Sequence, residues 1–386
     1  MNVLVVSARF PWPSYTGDRM RAAVWLEALA PHARVALVAP AGELPPTTHG
    51  FRYFPAAPSF LRGAAGAMAI LRRGLPIQTA LAAPFAWSDA IANATREAGP
   101  FDTTIVILSR CDPWVRASLG GGMHILDSID SLRRNTAERA AAASPLMRIF
   151  WRFEERRLAR AERDLGRAYD RVVVVSDDET SEFGDAGMAI PNSVPIAPLD
   201  LTAPRTYDFG FWGRFAYFAN ADAVRWLLDE IVPAIREREP AASIVIGGAA
   251  ASQTLRAAAS RANVELVSPI ADVAAFARNV RVAIAPMRYG SGQSSKLLEA
   301  AEAGCAIVTT PQALRGLPKI APHAAVASDA TSIAATAIEL LHDDARRATM
   351  GDALRHAVEQ HHSRQSVLAA MAELAGVTTT RAAVNE

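Results

Sequence analysis

A chain of 386 residues is long enough for two hydrophobic cores, and about half of it is apolar. Its 40 Lys and Arg offset 39 Asp and Glu, so the bulk charge gives no footprint for nucleic acid, and its two cysteines are too few for a disulfide framework. A soluble protein of a reducing, cytoplasmic compartment is expected: MNVLVVSARF has no charged leader before its apolar run, and the most apolar stretch, 80–94, is interrupted by Pro84 and Asp89.

Residues 2–7 form an apolar run of strand length, followed by a loop rich in proline and aromatics (10–16), Gly17 and a helical pattern over 18–30. No GxGxxG opens this helix, which removes the main support for a dehydrogenase. Asp18 stands at the helix start as an N-cap or as a functional carboxylate. Arg19 and Arg21 put positive charge at the same end, where it opposes the helix dipole unless an anion is near.

Strand runs recur at 34–38, 104–108, 124–126 and 171–175 with helical patterns between most of them, the alternation of a parallel α/β sheet. The segment LDSIDS (126–131) falls at the carboxyl end of a strand, where open sheets place ligands. Asp127 and Asp130 are therefore either caps of the next helix or site carboxylates. Residues 132–169 are helical, broken near Pro145, and combine many arginines with a cluster running from Leu146 to Phe153; 60–75 repeats that composition with Arg62, Arg72 and Arg73. Two readings stand: a solvated face over a core, or a basic amphipathic face on an anionic membrane.

Prolines at 191, 195, 198 and 204 mark a linker, after which the pattern restarts with strands at 207–212, 243–246 and 264–267 and helices at 220–238 and 272–279. The expected domains are 1–190 and 205–360, joined by 191–204, with helical sequence over 351–377 and a C-terminal helical segment 361–386. His361 and His362 are adjacent, point in different directions on a helix and make a poor metal pair, so they read as surface residues.

The stretch RVAIAPMRYGSGQSSKLLEAAEAGCAIVTTP (281–311) reads as strand, glycine loop, helix over 293–303 and strand. Gly290 and Gly292 let the backbone approach a ligand, and the N–H groups of Gln293, Ser294, Ser295 and Lys296 lie at the positive end of the helix dipole, a site suited to phosphate. Lys296 is one of two lysines in the chain, the other being Lys319. Glu299, three residues on, is either a surface partner of Lys296 or a carboxylate for two ribose hydroxyls; a capping box is excluded because the residue three before it is Lys296.

GSGQSSKLLEAAEAGCAIVTTP resembles the donor-binding segment of GT-B glycosyltransferases, specifically glycosyltransferase family 4. FGFWGRFAYFANADAVRWLLDEIVPAIREREP resembles the first unit of that family's donor domain, and IPNSVP its interdomain segment. RFPWPSYTGDRMRA and WRFEERRLARAERDL resemble sugar transferases of bacterial exopolysaccharide systems, and the likeness spans residues 1–320. The resemblance implies an α/β protein of two Rossmann-like domains (GT-B) facing each other across a cleft, the last helix crossing back to the first domain.

It further implies a transferase moving a hexosyl group from a nucleotide diphosphate sugar to a hydroxyl of a glycan or lipid-linked acceptor, with retention, no metal and no cofactor, and with peripheral contact at the inner membrane. The implied donor contacts are Gly17, Arg214 at the diphosphate, Gly290, Ser291, Gly292, Gln293, Ser294, Ser295, Lys296 and Glu299; Asp18, Asp127 and Asp130 are catalytic candidates by position. Two departures stand out. Ser291 occupies the position of a second glutamate, eight residues before Glu299, and no lysine follows Arg214 within a few residues. A nucleotide-sugar epimerase and a non-catalytic GT-B partner subunit are the alternatives on the same fold.

Overall fold

Strand after strand in this chain is apolar without alternation, the pattern of a parallel sheet covered on both faces. The computed structural model describes residues 1–14, 16–44, 50–200, 203–290 and 292–377, and its backbone separates into a unit of residues 1–191 with 365–386 and a unit of residues 192–364. In the first unit, strands β1 (Asn2–Ser7), β2 (Arg34–Pro40), β3 (Phe51–Ala56), β4 (Thr103–Ile107), β5 (Met123–Ile129), β6 (Arg171–Val174) and β7 (Gly187–Ala189) pair in the order β3-β2-β1-β4-β5-β6-β7, every pair parallel. Val3 to Val6, Val35 to Ala39 and Ile105 to Ile107 form its buried centre.

The second unit repeats the plan with β8 (Tyr207–Trp212), β9 (Ile244–Gly247), β10 (Glu265–Val267), β11 (Val280–Ala285), β12 (Ala306–Thr309) and β13 (Ala325–Val326), in the parallel order β10-β9-β8-β11-β12-β13. Each sheet reverses its strand order once, between β1 and β4 and between β8 and β11. Loops leave such a switch point in opposite directions and open a crevice at the carboxyl ends of the strands.

Several expectations are corrected. β3 lies at a sheet edge and carries Pro55, which a central strand does not tolerate, so its sequence hid it. The helix expected over 220–238 is Phe218–Trp226, a wider turn Leu227–Ile231, and Val232–Arg238; Pro233 has no N–H to donate back, and the helix is widened just ahead of it. The start of the proline-rich stretch expected as a linker, 191–204, is held by hydrogen bonds. Asn192 N–H donates to Gln293 Oε1 (2.8 Å), Val194 N–H to His362 O (3.0 Å) and Ala197 N–H to Glu302 Oε1 (3.2 Å), so its first residues are part of the second unit.

His362 is buried, not on the surface: its Nδ1 lies 3.0 Å from Asn192 O, and burial lowers its pKa. The helical pattern over 351–377 divides into the end of Asp344–His361 and a separate helix, Arg364–Leu374, whose Val367, Met371 and Ala372 join the core of the first unit. Residues 378–386 lie outside the described residues, among which no helix is long and apolar enough to cross a membrane.

One close approach fixes the crevice of the second unit. Gly213 N–H donates to Gly247 O (2.9 Å) and Phe215 N–H to Ala249 O (3.0 Å), so the loops after β8 and β9 run in contact. At Gly248 φ is +151°, and a Cβ there would fall 1.8 Å from Gly213 O. Gly248→Ala is therefore expected to cost about 3 kcal/mol or more, from backbone overlap together with a strained φ. Thermal denaturation checks this, and an unchanged melting temperature would contradict the packing.

Candidate functional site

The carboxyl ends of β8 and β11 meet because the two strands pair in register, Phe209 opposite Val282 and Gly210 opposite Ala283. β8 is followed by Gly213 and Arg214; β11 is followed by a loop that enters the helix Ser295–Glu302. In that loop Gly290 (φ +135°) and Gly292 (φ +67°) take backbone conformations that other residues adopt only with strain. Ser291 lies outside the described residues. Gln293 anchors the loop: its Oε1 accepts from Asn192 N–H and its Nε2 donates to Gly316 O (2.8 Å).

The helix begins uncapped. Ser294 stands at the N-cap without a side-chain capping bond, and its Oγ is buried with no partner. Ser295, the first helical residue, is exposed. The N–H groups at the start of the helix, an idle Ser294 hydroxyl and a lysine in the first turn form a site that an anion would complete.

Lys296 Nζ donates to Asn220 Oδ1 (2.9 Å) and lies 3.7 Å from Met287 Sδ and 5.7 Å from the Phe211 ring centroid. Burial lowers its pKa from the ordinary 10.5 to about 8, with the charge of Glu299 opposing. Asn220 is itself held by its Nδ2, which donates to Arg214 O (3.0 Å). Glu299 Oε2 accepts from Trp212 Nε1 (2.7 Å), while its Oε1 makes no hydrogen bond with the described residues; burial raises the Glu299 pKa, opposed by Trp212 and Lys296.

A surface ion pair between Lys296 and Glu299 is thus corrected, since each is tied to a different residue at the end of β8 or just beyond it. Arg214 is exposed, and its guanidinium makes no hydrogen bond or ion pair with the described residues. The loop is clamped from the side by Arg288, whose Nε and Nη2 reach Asp222 Oδ2 (2.9 Å) and Oδ1 (2.8 Å) and whose guanidinium lies 4.9 Å from the Trp226 ring centroid. Sequence reasoning missed Trp212, Asn220, Asp222 and Arg288. Asn220 and Asp222 had a signal: both are polar residues at buried positions of an otherwise apolar helical stretch.

The first-unit candidates fare differently. Gly17 opens the helix Gly17–Leu29 in open space, with nothing near the place of a Cβ. Asp18 is not the N-cap, which is Thr16; its Oδ1 accepts from Thr16 Oγ1 (2.5 Å) and its Oδ2 pairs with Arg9 Nη1 (3.0 Å). Asp127 has no exposed surface, and its Oδ2 accepts from Arg21 Nε (2.7 Å) and Trp25 Nε1 (2.6 Å). Neither a cap nor a sugar contact is open to it. Arg21 also donates to the carbonyls of Ile190 (2.8 Å) and Pro191 (2.9 Å), so it is committed to the core and not to an anion.

Ser131, not Asp130, caps the helix Leu132–Ala142. Asp130 and Asp18 act electrostatically on Arg110, a residue just past β4 that sequence reasoning missed. Arg110 Nε is buried without a partner, burial lowers its pKa, and it lines a cavity of about 340 Å³ with Leu75, Leu158, Glu162 and Leu165 among the walls. Among the described residues no group of three or more His, Cys, Asp or Glu converges in a way that would hold a metal ion.

Residues 206–343, a span that includes Arg214, Lys296 and Glu299, match the family model described as glycosyl transferases group 1. No curated protein matches the chain in sequence. Sucrose-phosphate synthase from Thermosynechococcus elongatus is similar in structure at 16% identity and a TM-score of 0.73, over 97% of this chain and 98% of that one. HepE from Anabaena, solved in complex with UDP-glucose, gives 13% and 0.67 over 98% and 100%, and the trehalose-6-phosphate synthase OtsA gives 12% and 0.67 over the same shares. At such identities the likeness carries the fold alone: two parallel sheets with flanking helices, the α/β architecture of GT-B glycosyltransferase structures.

Two outcomes follow from the geometry. Asp127→Ala leaves the Arg21 guanidinium buried without its carboxylate and is expected to lower stability by about 3–5 kcal/mol, read as a large fall in melting temperature. A stable variant with altered activity would instead restore a direct chemical role. Folding lowers the Lys296 pKa from 10.5 to about 8, so the folded state holds this proton more weakly than the unfolded chain. The residue therefore destabilises below pH 8, and its penalty fades between pH 8 and 10.5. Lys296→Met should raise the melting temperature at pH 7, by ~3 °C or more, and by less at pH 10; an equal effect at both pH values would contradict the burial of this charge.

Proposed function

We propose that this protein transfers a hexosyl group from a nucleoside diphosphate sugar to the hydroxyl of a glycan or lipid-linked acceptor. The observation that carries the reading is the set of anion-seeking groups at the β8/β11 switch point: the free Arg214 guanidinium, Lys296, and the uncapped helix start with its idle Ser294 hydroxyl. The match of this segment to the glycosyl transferases group 1 model supports it, as does the similarity in fold to HepE, which was solved with UDP-glucose.

In this reading Arg214 takes the diphosphate as a planar fork, Lys296 as a point charge, and the loop N–H groups complete the cradle. Glu299 offers Oε1 to the ribose hydroxyls while Trp212 holds Oε2. The bond between the sugar anomeric carbon and the diphosphate oxygen breaks as charge gathers on the diphosphate, where these cations stabilise it. The acceptor oxygen bonds to that carbon from the side the diphosphate leaves, and its proton passes to the leaving phosphate, so configuration is retained. The stabilising charges come from the protein, and the reaction is proposed to need no metal.

Incubation with UDP-, GDP-, ADP- and TDP-sugars tests this, with nucleotide affinity measured by calorimetry and product anomers by NMR. One base is expected to bind. Glu299→Gln, which keeps an acceptor for Trp212 Nε1, should lose about tenfold in affinity, the equivalent of ~1.4 kcal/mol, at an unchanged melting temperature, and turnover should survive EDTA. No binding by any nucleotide would overturn the transferase reading in favour of a non-catalytic subunit, and sugar conversion without an acceptor would favour an epimerase.

A further inference from the structure

Sixteen large apolar side chains are exposed among the described residues, and eleven of them fall on three adjoining elements of the first unit: four on the helix Phe60–Arg73, two on the turn Ile77–Leu81 and five on the helix Pro145–Ala168. They share one region because the elements are tied together. Arg157 donates to the carbonyls of Ile70 and Gly74 (both 3.0 Å), and Ile77 N–H donates to Glu154 Oε1 (2.5 Å).

None of the first nine residues of the longer helix, 145–153, is buried, and its buried positions all come after them. Glu154, Leu158, Glu162 and Leu165 recur on the buried side, and both acids are hydrogen-bonded there, Glu162 by Ser131 Oγ (2.8 Å) and Arg133 N–H (3.0 Å). Leu146, Ile149 and Phe153 recur on the opposite side, 79%, 70% and 57% exposed. On the helix Phe60–Arg73 only Gly66 and Ile70 are buried, while Phe60 is 90%, Leu61 79% and Leu71 77% exposed. Burying acids and presenting aliphatic and aromatic tips to water is unfavourable for a surface that stays in water.

Charge identifies what covers this face. The helix Phe60–Arg73 contains no acidic residue. Arg72, Arg73, Arg152 and Arg156 are exposed and make no ion pair with the described residues. A second copy of the same face would set these arginines against their own kind. An anionic lipid surface satisfies both chemistries, apolar tips entering the acyl boundary and guanidinium groups remaining among the headgroups.

We infer that the face formed by the helices Phe60–Arg73 and Pro145–Ala168 docks on the surface of an anionic bilayer. It lies on the membrane and does not cross it, and the inference stands on this surface alone, independent of the transferase reading.

Co-sedimentation of the full chain with phosphatidylcholine vesicles, with and without phosphatidylglycerol, tests it. Binding is expected to the anionic vesicles, weakened by salt and by removal of phosphatidylglycerol. The combined Leu61→Ser, Ile149→Ser and Phe153→Ser variant should bind about tenfold more weakly or worse, and Arg72→Gln with Arg152→Gln should lose about fivefold per charge. All five positions are exposed, so melting temperatures should not fall, which separates lost docking from lost folding. Absence of binding by the parent, binding indifferent to the serine variant, or a dimer in solution that the serine variant dissociates would each overturn the inference.

Discussion

Two hydrogen bonds hold the second unit's site in shape: Trp212 Nε1 to Glu299 Oε2, and Lys296 Nζ to Asn220 Oδ1, with Asn220 in turn bound to the carbonyl of Arg214. They join the end of β8 and the start of the next helix to the first turns of the helix after β11, across a switch point where no backbone ladder continues beyond the strand ends. The same bonds immobilise a cation and a carboxylate in partly buried surroundings, and the opposed pKa shifts of Lys296 and Glu299 record the cost. Ser294 Oγ adds a further unmet polar group. Such groups cost stability where they stand, and their position beside an uncapped helix start is what marks this place as a candidate site.

The corresponding edge of the first unit is built by the opposite logic. There the most buried carboxylate, Asp127, is saturated by Arg21, Trp25 and the Ile129 N–H, and the arginine spends its remaining donors on two carbonyls. This network closes the base of the edge and leaves nothing for a ligand. Closer to the surface Asp18 is paired with Arg9, and Arg110 keeps an unpartnered Nε. The two units thus share a topology while placing charge differently, one holding a lysine and a carboxylate on neutral partners at the strand ends and the other pairing its most buried carboxylate with an arginine.

Much of the architecture was legible because buried parallel strands declare themselves as apolar runs, and β1, β2, β4, β8 and β11 did so. β3 did not, since Pro55 is tolerated only because the strand is an edge, and that is a tertiary fact. The glycine loop and the positive charge at the helix start were readable from local chemistry. The partners of that charge were not: Trp212 and Glu299 are 87 residues apart, Lys296 and Asn220 are 76, and no local pattern announces such a pairing. Burial of single polar residues was the least legible feature. Asp127 and His362 carry the same letters as surface residues, and only the arrival of Arg21 and Asn192 beside them reveals the difference.

Whether the switch point of the second unit receives a nucleoside diphosphate is tested most directly by a crystal structure of the protein with the nucleotide it binds. Diphosphate oxygens are expected within hydrogen-bond distance of Lys296 Nζ, the Arg214 guanidinium and Ser294 Oγ, and ribose hydroxyls on Glu299 Oε1 with the Trp212 bond intact. A nucleotide seated elsewhere, or one that leaves Lys296 on Asn220 and Glu299 untouched, would contradict the proposed donor site.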